Sequence, residues 1–109
     1  MPTTFFKFSK TEIKELFSSI SKRSDAANIR FLAAPKKAVM AKLLVVTPKR
    51  IGSAPKRNKV RRRLKSIFLE QSLFEGKFDI VVIVKMEGVN LSFQELTKAL
   101  VEFIEKISK

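Results

Sequence analysis

Nine of the seventeen residues from Lys49 to Lys65 are lysine or arginine, and none is acidic. The chemistry open to such a run is electrostatic. Ammonium and guanidinium groups neutralise phosphates, and arginine forks hydrogen-bond them. The stretch reads as a turn containing Gly52 that opens onto a helix, with Ser53 as N-cap. Pro55 falls in the first turn, where its missing N–H costs little. Along that helix Val60, Leu64, Ile67 and Phe68 follow i, i+4, i+7, i+8 and form one apolar stripe. Asn58, Arg61, Arg62 and Lys65 point elsewhere, with Lys59 and Arg63 on the flank. Like charges three and four residues apart weaken a helix, and a polyanion on that face relieves them.

Acid–base and nucleophilic catalysis find little to work with. The chain has no His, Cys, Tyr or Trp, so it lacks an imidazole base and a thiolate. Its ten carboxylates are scattered, with no acidic pair spaced for a two-metal nuclease site. Asp79 sits at the mouth of an apolar strand and reads as a strand-end hydrogen-bond acceptor. Glu12 and Glu95 read as helix caps. A polypeptide of this composition is a poor candidate for an enzyme acting alone.

The charge is segregated. Of a net +13, residues 26–69 carry thirteen Lys/Arg and no Asp/Glu, and the remainder carries ten of each sign. A block of this kind is the electrostatic footprint of a nucleic-acid binder rather than a uniformly solvated surface. With 109 residues the chain is long enough for one core and one domain, residues 1–109. No apolar run reaches membrane-spanning length, and Met1–Lys7 lacks the layout of a secretory signal. The expectation is a cytoplasmic protein without a membrane partner.

The elements that must position the basic helix follow from pattern. Ser9-Lys10-Thr11-Glu12 is a capping box that starts a first helix, with Ile13, Leu16, Phe17 and Ile20 as its buried stripe. Ser21–Asp25 reads as a polar loop. Asn28–Ala34 reads as a strand, broken at Pro35-Lys36-Lys37. Leu43–Val46 is apolar on both faces and is expected to be central in a covered sheet. After the basic helix, which runs to about Gln71, Phe78–Lys85 is the clearest strand. Ser92-Phe93-Gln94-Glu95 caps a last helix with the core stripe Phe93, Leu96, Leu100, Phe103 and Ile107. The order predicts an α+β two-layer sandwich, α-β-β-(β)-α-β-α, around a small mixed sheet.

The Lys49–Lys65 stretch resembles the signature of the bacterial ribonuclease P protein subunit. That signature is a Lys-Lys/Arg-x-Gly-x-Ala lead-in followed by Arg-Asn-x-x-Lys/Arg-Arg-x-x-Arg/Lys on a helix. Lys49, Arg50, Gly52, Ala54, Arg57, Asn58, Arg61, Arg62 and Lys65 match it. The chain departs from the usual pattern at Pro55 and at Ser66, where the family usually has a β-branched residue and Glu. The resemblance extends over residues 9–109 and implies a left-handed βαβ crossover through the basic helix. It implies a non-catalytic protein subunit of the endoribonuclease, which binds the catalytic RNA and the 5′ leader of precursor tRNA. Mg²⁺, held mainly by the RNA, does the hydrolysis, and no obligatory protein partner is implied. Lys49, Arg50, Lys56, Arg57, Asn58, Lys59, Arg61, Arg62 and Lys65 would hold the catalytic RNA. Ile13, Phe17 and Phe31 would line a groove for the leader, where bases stack on rings; core packing is the alternative for Phe17 and Phe31.

Three other readings compete. A small ribosomal-type RNA-binding protein would share the charge without any role in cleavage. A DNA-binding module could use the basic helix in a major groove, but Leu43–Val46 leaves no preceding helix at helix-turn-helix spacing. A self-sufficient nuclease is opposed by the missing histidines and carboxylate cluster.

Overall fold

In the computed structural model, which describes residues 4–108, three helices surround a four-stranded sheet. Helix α1 spans Lys10–Ser18, strand β1 Lys22–Ala26, β2 Ile29–Pro35 and β3 Leu43–Val46. Helix α2 spans Ala54–Glu70, β4 Phe78–Val84 and α3 Phe93–Ile107. The sheet order is β1-β2-β4-β3. β2 pairs antiparallel with β1 and β4, while β3 and β4 are parallel neighbours joined through α2. The α+β class and the element order are those expected.

Both capping boxes form. The Glu12 N–H donates to Ser9 Oγ at 3.1 Å, and the Ser9 N–H donates to Glu12 Oε1 at 3.0 Å. Ser92 and Glu95 repeat the exchange at 3.1 and 3.0 Å. Ser53 does stand at the N-cap of α2, but its side chain makes no cap bond.

The pleat divides the sheet into two apolar faces. Ile29, Phe31, Ala33, Leu43, Ile80, Val82 and Val84 face a core shared with α2 and α3. Val60, Leu64, Ile67 and Phe68 of α2 are all fully buried there, as their spacing requires. Leu32, Ala34 and Val81 face the other way, against Leu16 of α1. The layering is therefore fuller than a two-layer sandwich, because α1 covers the face opposite α2 and α3. Phe5 and Phe6 join Phe68 and Phe74 in an aromatic cluster, with Phe5 stacked on Phe74 at 4.8 Å.

Several local expectations change. Ser21–Asp25 is not a loop: residues 22–26 are an edge strand, too polar to show an apolar alternation, and pairing with β2 holds it. Its hairpin turn is Ala27-Asn28, both at positive φ (52° and 61°), the geometry that tight two-residue hairpins need. β3 is an edge strand rather than a central one. Leu43 and Val45 pack on the side of α2, while Leu44 and Val46 face the α1 side and are only partly covered. Phe93, at the first turn of α3, is 38% exposed, and Ala99 takes a place in the buried stripe instead.

The caps carry a pH signature. Hydrogen bonds from the Ser92 N–H, then with the Ser92 hydroxyl, hold the Glu95 carboxyl below its usual range. A depressed folded-state pKa means stability that is present above the unfolded value and lost as pH falls through the folded one. Glu95→Gln should therefore be less stable than wild type at neutral pH, with the gap closing on acidification. Urea unfolding at neutral and acid pH measures it, and a gap that persists in acid rejects the charged-cap account.

Candidate nucleic-acid interface

The buried stripe of α2 fixes which side chains it shows to solvent. Lys49, Arg50, Lys56, Asn58, Lys59 and Arg62 are exposed, and Arg57, Arg61 and Lys65 are half-buried. Their partners are neutral. Arg57 Nε donates to the Gly52 carbonyl at 3.2 Å, which fastens the turn to the helix. Arg61 donates to Asn58 Oδ1 at 3.2 Å and to Thr47 Oγ1. Because Asn58 accepts through its carbonyl oxygen, its amide N–H groups remain available to a ligand. Lys65 Nζ lies 5.3 Å from the centre of the Phe6 ring. Arg63 is the structural member of the set, donating to the Leu91 carbonyl at 2.9 Å ahead of α3.

Among the described residues, the ion pairs are Arg30–Asp25, Lys85–Asp25, Lys37–Glu15 and Lys42–Glu12. None involves a base between Lys49 and Lys65. The cationic face of α2 is thus uncompensated, and its first turn contains no acidic residue to oppose the helix dipole. The structure gathers all nine expected binding residues on α2 and the turn before it. It also adds Thr47, which orients Arg61.

On the sheet face opposite α2, the strands beside α1 are only partly covered and form the floor of a cleft. α1 lies over the Ala34 end of the sheet, with Leu16 as its buried anchor, and leaves Leu44, Val46 and Ile83 half-exposed. Ile13, Phe17 and Ile20 recur at i, i+4, i+7 along α1. Ile13 and Ile20 are half-buried, whereas Phe17 is 42% exposed and so does not belong to the buried stripe. Across the sheet the register sets Val46, Ile83, Arg30 and Asp25 in one row, from β3 to β1. That row covers three strand spacings, about 14 Å. Thr47 and Arg61 stand at its β3 end. Phe31 does not line this cleft. It is buried on the opposite sheet face, stacked on Phe103 at 5.1 Å.

On the other flank of α1, Glu12, Glu15, Leu16 and Ser19 border a cavity of about 240 Å³ with Lys42 and Asp79. Asp79 is the strand-end acceptor expected: its Oδ1 takes the Lys42 N–H at 2.8 Å. Burial pushes its carboxyl above the usual range. Lys42 Nζ pairs with Glu12 at 3.1 Å and sits 4.4 Å from the centre of the Phe8 ring. Among the described residues, no three carboxylates or other metal-ligating side chains converge. None of this assembles a nucleophile or a general base.

Fold and surface together define a small basic α+β protein with one cationic helix and, on the other face of its sheet, a half-apolar cleft. Residues 8–108 match the family model described as Ribonuclease P, and the chain belongs to that family as a protein component of the endoribonuclease ribonucleoprotein. The ribonuclease P protein component of Desulfosudis oleivorans is 34% identical over 69 residues, 62% of this chain and 57% of that protein. That of Phytoplasma australiense is 27% identical over 100 residues, 91% of this chain and 87% of that protein. The RNase P proteins of Staphylococcus aureus and Thermotoga maritima share the fold, with TM-scores of 0.77 and 0.79. Their identities are 18% and 20%; the alignments cover 96% and 95% of this chain, and 95% and 98% of those proteins.

Sequence reasoning missed the cleft floor of Leu44, Val46 and Ile83. Strand alternation carries that signal once the helix-covered face is known. Phe17 and Phe31 separate in a stability measurement. Phe31→Ala should cost about 3–5 kcal/mol, as a large core truncation does. Phe17→Ala should change stability by under about 0.5 kcal/mol, in keeping with its exposure. Equal losses in urea unfolding would contradict the two placements.

Proposed function

We propose that this chain binds the catalytic RNA of ribonuclease P through α2 and holds the single-stranded 5′ leader of precursor tRNA in the cleft beneath α1. The observation that carries this reading is the cationic face of α2, which has no carboxylate partner among the described residues and reaches the β3 end of the cleft row through Arg61 and Thr47. Lys49, Arg50, Lys56, Lys59 and Arg62 meet phosphates of the catalytic RNA, while Asn58 and Arg61 add oriented donors. Phe17 offers a ring for a base to stack on, and Val46 and Ile83 supply an apolar floor.

The chain's contribution to cleavage is positional and electrostatic. Two RNAs repel each other, and cations between them lower the cost of bringing the leader to the catalytic RNA. Mg²⁺ supplies the hydrolytic chemistry from sites on the RNA, since the scattered carboxylates of this chain do not suit an octahedral oxygen-ligated ion. Product is mature tRNA with a 5′ phosphate. No helix among the described residues is long and apolar enough to cross a membrane, and we place the work in the cytoplasm, where precursor tRNA is made.

The test is cleavage of a precursor tRNA by a bacterial ribonuclease P RNA at low Mg²⁺, with and without the protein. Correct 5′ cleavage that depends on both supports the reading. Tight RNA binding without stimulation would favour a structural RNA-binding role instead. If about six cations meet phosphates, log affinity should fall with log salt at a slope of roughly −4 to −5. Lys59→Ala with Arg62→Ala should flatten that slope by about 1 to 2 without loss of folded circular dichroism. These two are better probes than Arg57, whose hydrogen bond to Gly52 also holds the turn.

A further inference from the structure

The β1 end of the cleft row holds an arrangement that RNA binding through α2 does not use. Asp25 Oδ1 accepts from Arg30 Nε at 3.1 Å and from Lys85 Nζ at 3.0 Å. Both bases bond the same oxygen. The three residues come from three strands or strand ends, β1, β2 and the residue after β4, and the register puts Asp25, Arg30 and Ile83 on the α1 side of the sheet. Lys85, two residues beyond Ile83, shares that face. Its backbone is tied to the hairpin, because its N–H donates to the Asn28 carbonyl at 3.1 Å. Gly88 presses on the same carbonyl so closely that a Cβ would lie 2.7 Å from it. Arg23, diagonal to Arg30, borders a shallow depression with Ser24, Asp25 and Arg30. Two cations thus bond one carboxylate on an open surface, with a third beside them.

We propose that Arg30 and Lys85 form a phosphate seat at the far end of the cleft, with Asp25 as an internal stand-in for the phosphate that the incoming leader displaces. Three observations support it. The trio lies in line with Val46 and Ile83, so a strand entering beside Arg61 and crossing the apolar floor arrives at it. All three side chains are about half exposed, at 51%, 43% and 53%. Exposed ion pairs contribute little to stability, so folding alone does not account for the cluster. A carboxylate oxygen between two fixed cations also matches the demands of a phosphate oxygen. The Asp25 carboxyl is held below its usual range by the hydrogen bond from Arg30 and then that from Lys85, so it stays charged and competes with the ligand.

The inference rests on the proposed leader cleft and specifies its distal end. A phosphate that takes the place of Asp25 releases no salt counterion from Arg30 and Lys85, because their counterion is part of the chain. Removing the carboxylate exposes both cations to salt. The holoenzyme, assembled with a bacterial ribonuclease P RNA, is titrated with precursor tRNA bearing a long leader and with tRNA lacking one, over a range of salt. Asp25→Asn should tighten binding of the leader-bearing RNA at low salt by about two- to fivefold, the scale of one exposed ion pair. It should also steepen the log–log salt dependence by about one per cation freed. Leaderless tRNA should be unaffected. Adding Arg30→Gln to Asp25→Asn should abolish the gain. Lys85→Gln, which leaves the Asp25–Arg30 pair and the hairpin intact, should weaken leader binding.

Unchanged or weaker leader binding in Asp25→Asn, or an equal effect on leaderless tRNA, overturns the stand-in role while leaving the cleft assignment in place. Failure of wild type to distinguish the two RNAs removes the cleft reading, and the seat with it.

Discussion

The burial of one apolar stripe governs this molecule. Val60, Leu64, Ile67 and Phe68 close the core between α2 and the sheet, and a helix has only one way to satisfy such a stripe. Once it is down, the rotational setting of α2 is fixed, and the basic residues between the stripe positions are held at the surface, exposed or half-buried. The partners that the fold gives the cations are neutral, and the cations repel one another. They are carried by a helix whose stability comes from its opposite face. Core packing therefore orients the functional surface without contributing a residue to it.

The same division recurs across the sheet. One face is filled by two helices, α2 and α3. The other carries the nine-residue helix α1, which spans one end of the strands and leaves the rest as a cleft. A longer α1 would complete the second core and remove the cleft. Carboxylates are placed to match. Glu12 and Glu15 pair with Lys42 and Lys37 on the flank of α1 that holds the cavity, so negative charge is neutralised where α1 meets the sheet edge. No ion pair among the described residues involves a base of α2. The densest group of cations without a described carboxylate partner is therefore the one on α2.

What the sequence made legible was local or periodic. Each capping box is written in four consecutive residues, and each helix stripe in a 3.6-residue repeat, so both could be read directly. β4 is seven residues of strand with an apolar core on each face. The misread parts depend on neighbours that the local pattern does not encode. β1 has one strand partner and polar residues throughout, so its only signal is the Asp25 to Arg30 pairing across a turn whose Ala27 is an unusual occupant of positive φ. β3 looked central because both faces are apolar, yet apolar faces say nothing about neighbours to the side. Phe31 and Phe17 are both aromatic residues beside polar ones. Only the sheet's facing separates a ring stacked on Phe103 from one open to solvent.

The proposed nucleic-acid surface was legible in type but only partly in extent. Segregated charge pointed to α2 because that stretch has no acidic residue. Arg30 and Lys85 escaped notice because one sits in a strand and the other ends one, fifty-five positions apart in the chain. Register brings them to a single carboxylate. A run of basic residues announces a surface whose affinity is set by counterion release. A pair assembled by the sheet, with its own acid between, instead moderates that dependence on salt. If both act on RNA, the helix supplies the attraction and the sheet supplies the point at which an advancing strand is held, because displacing an internal carboxylate requires a phosphate in register rather than negative charge nearby.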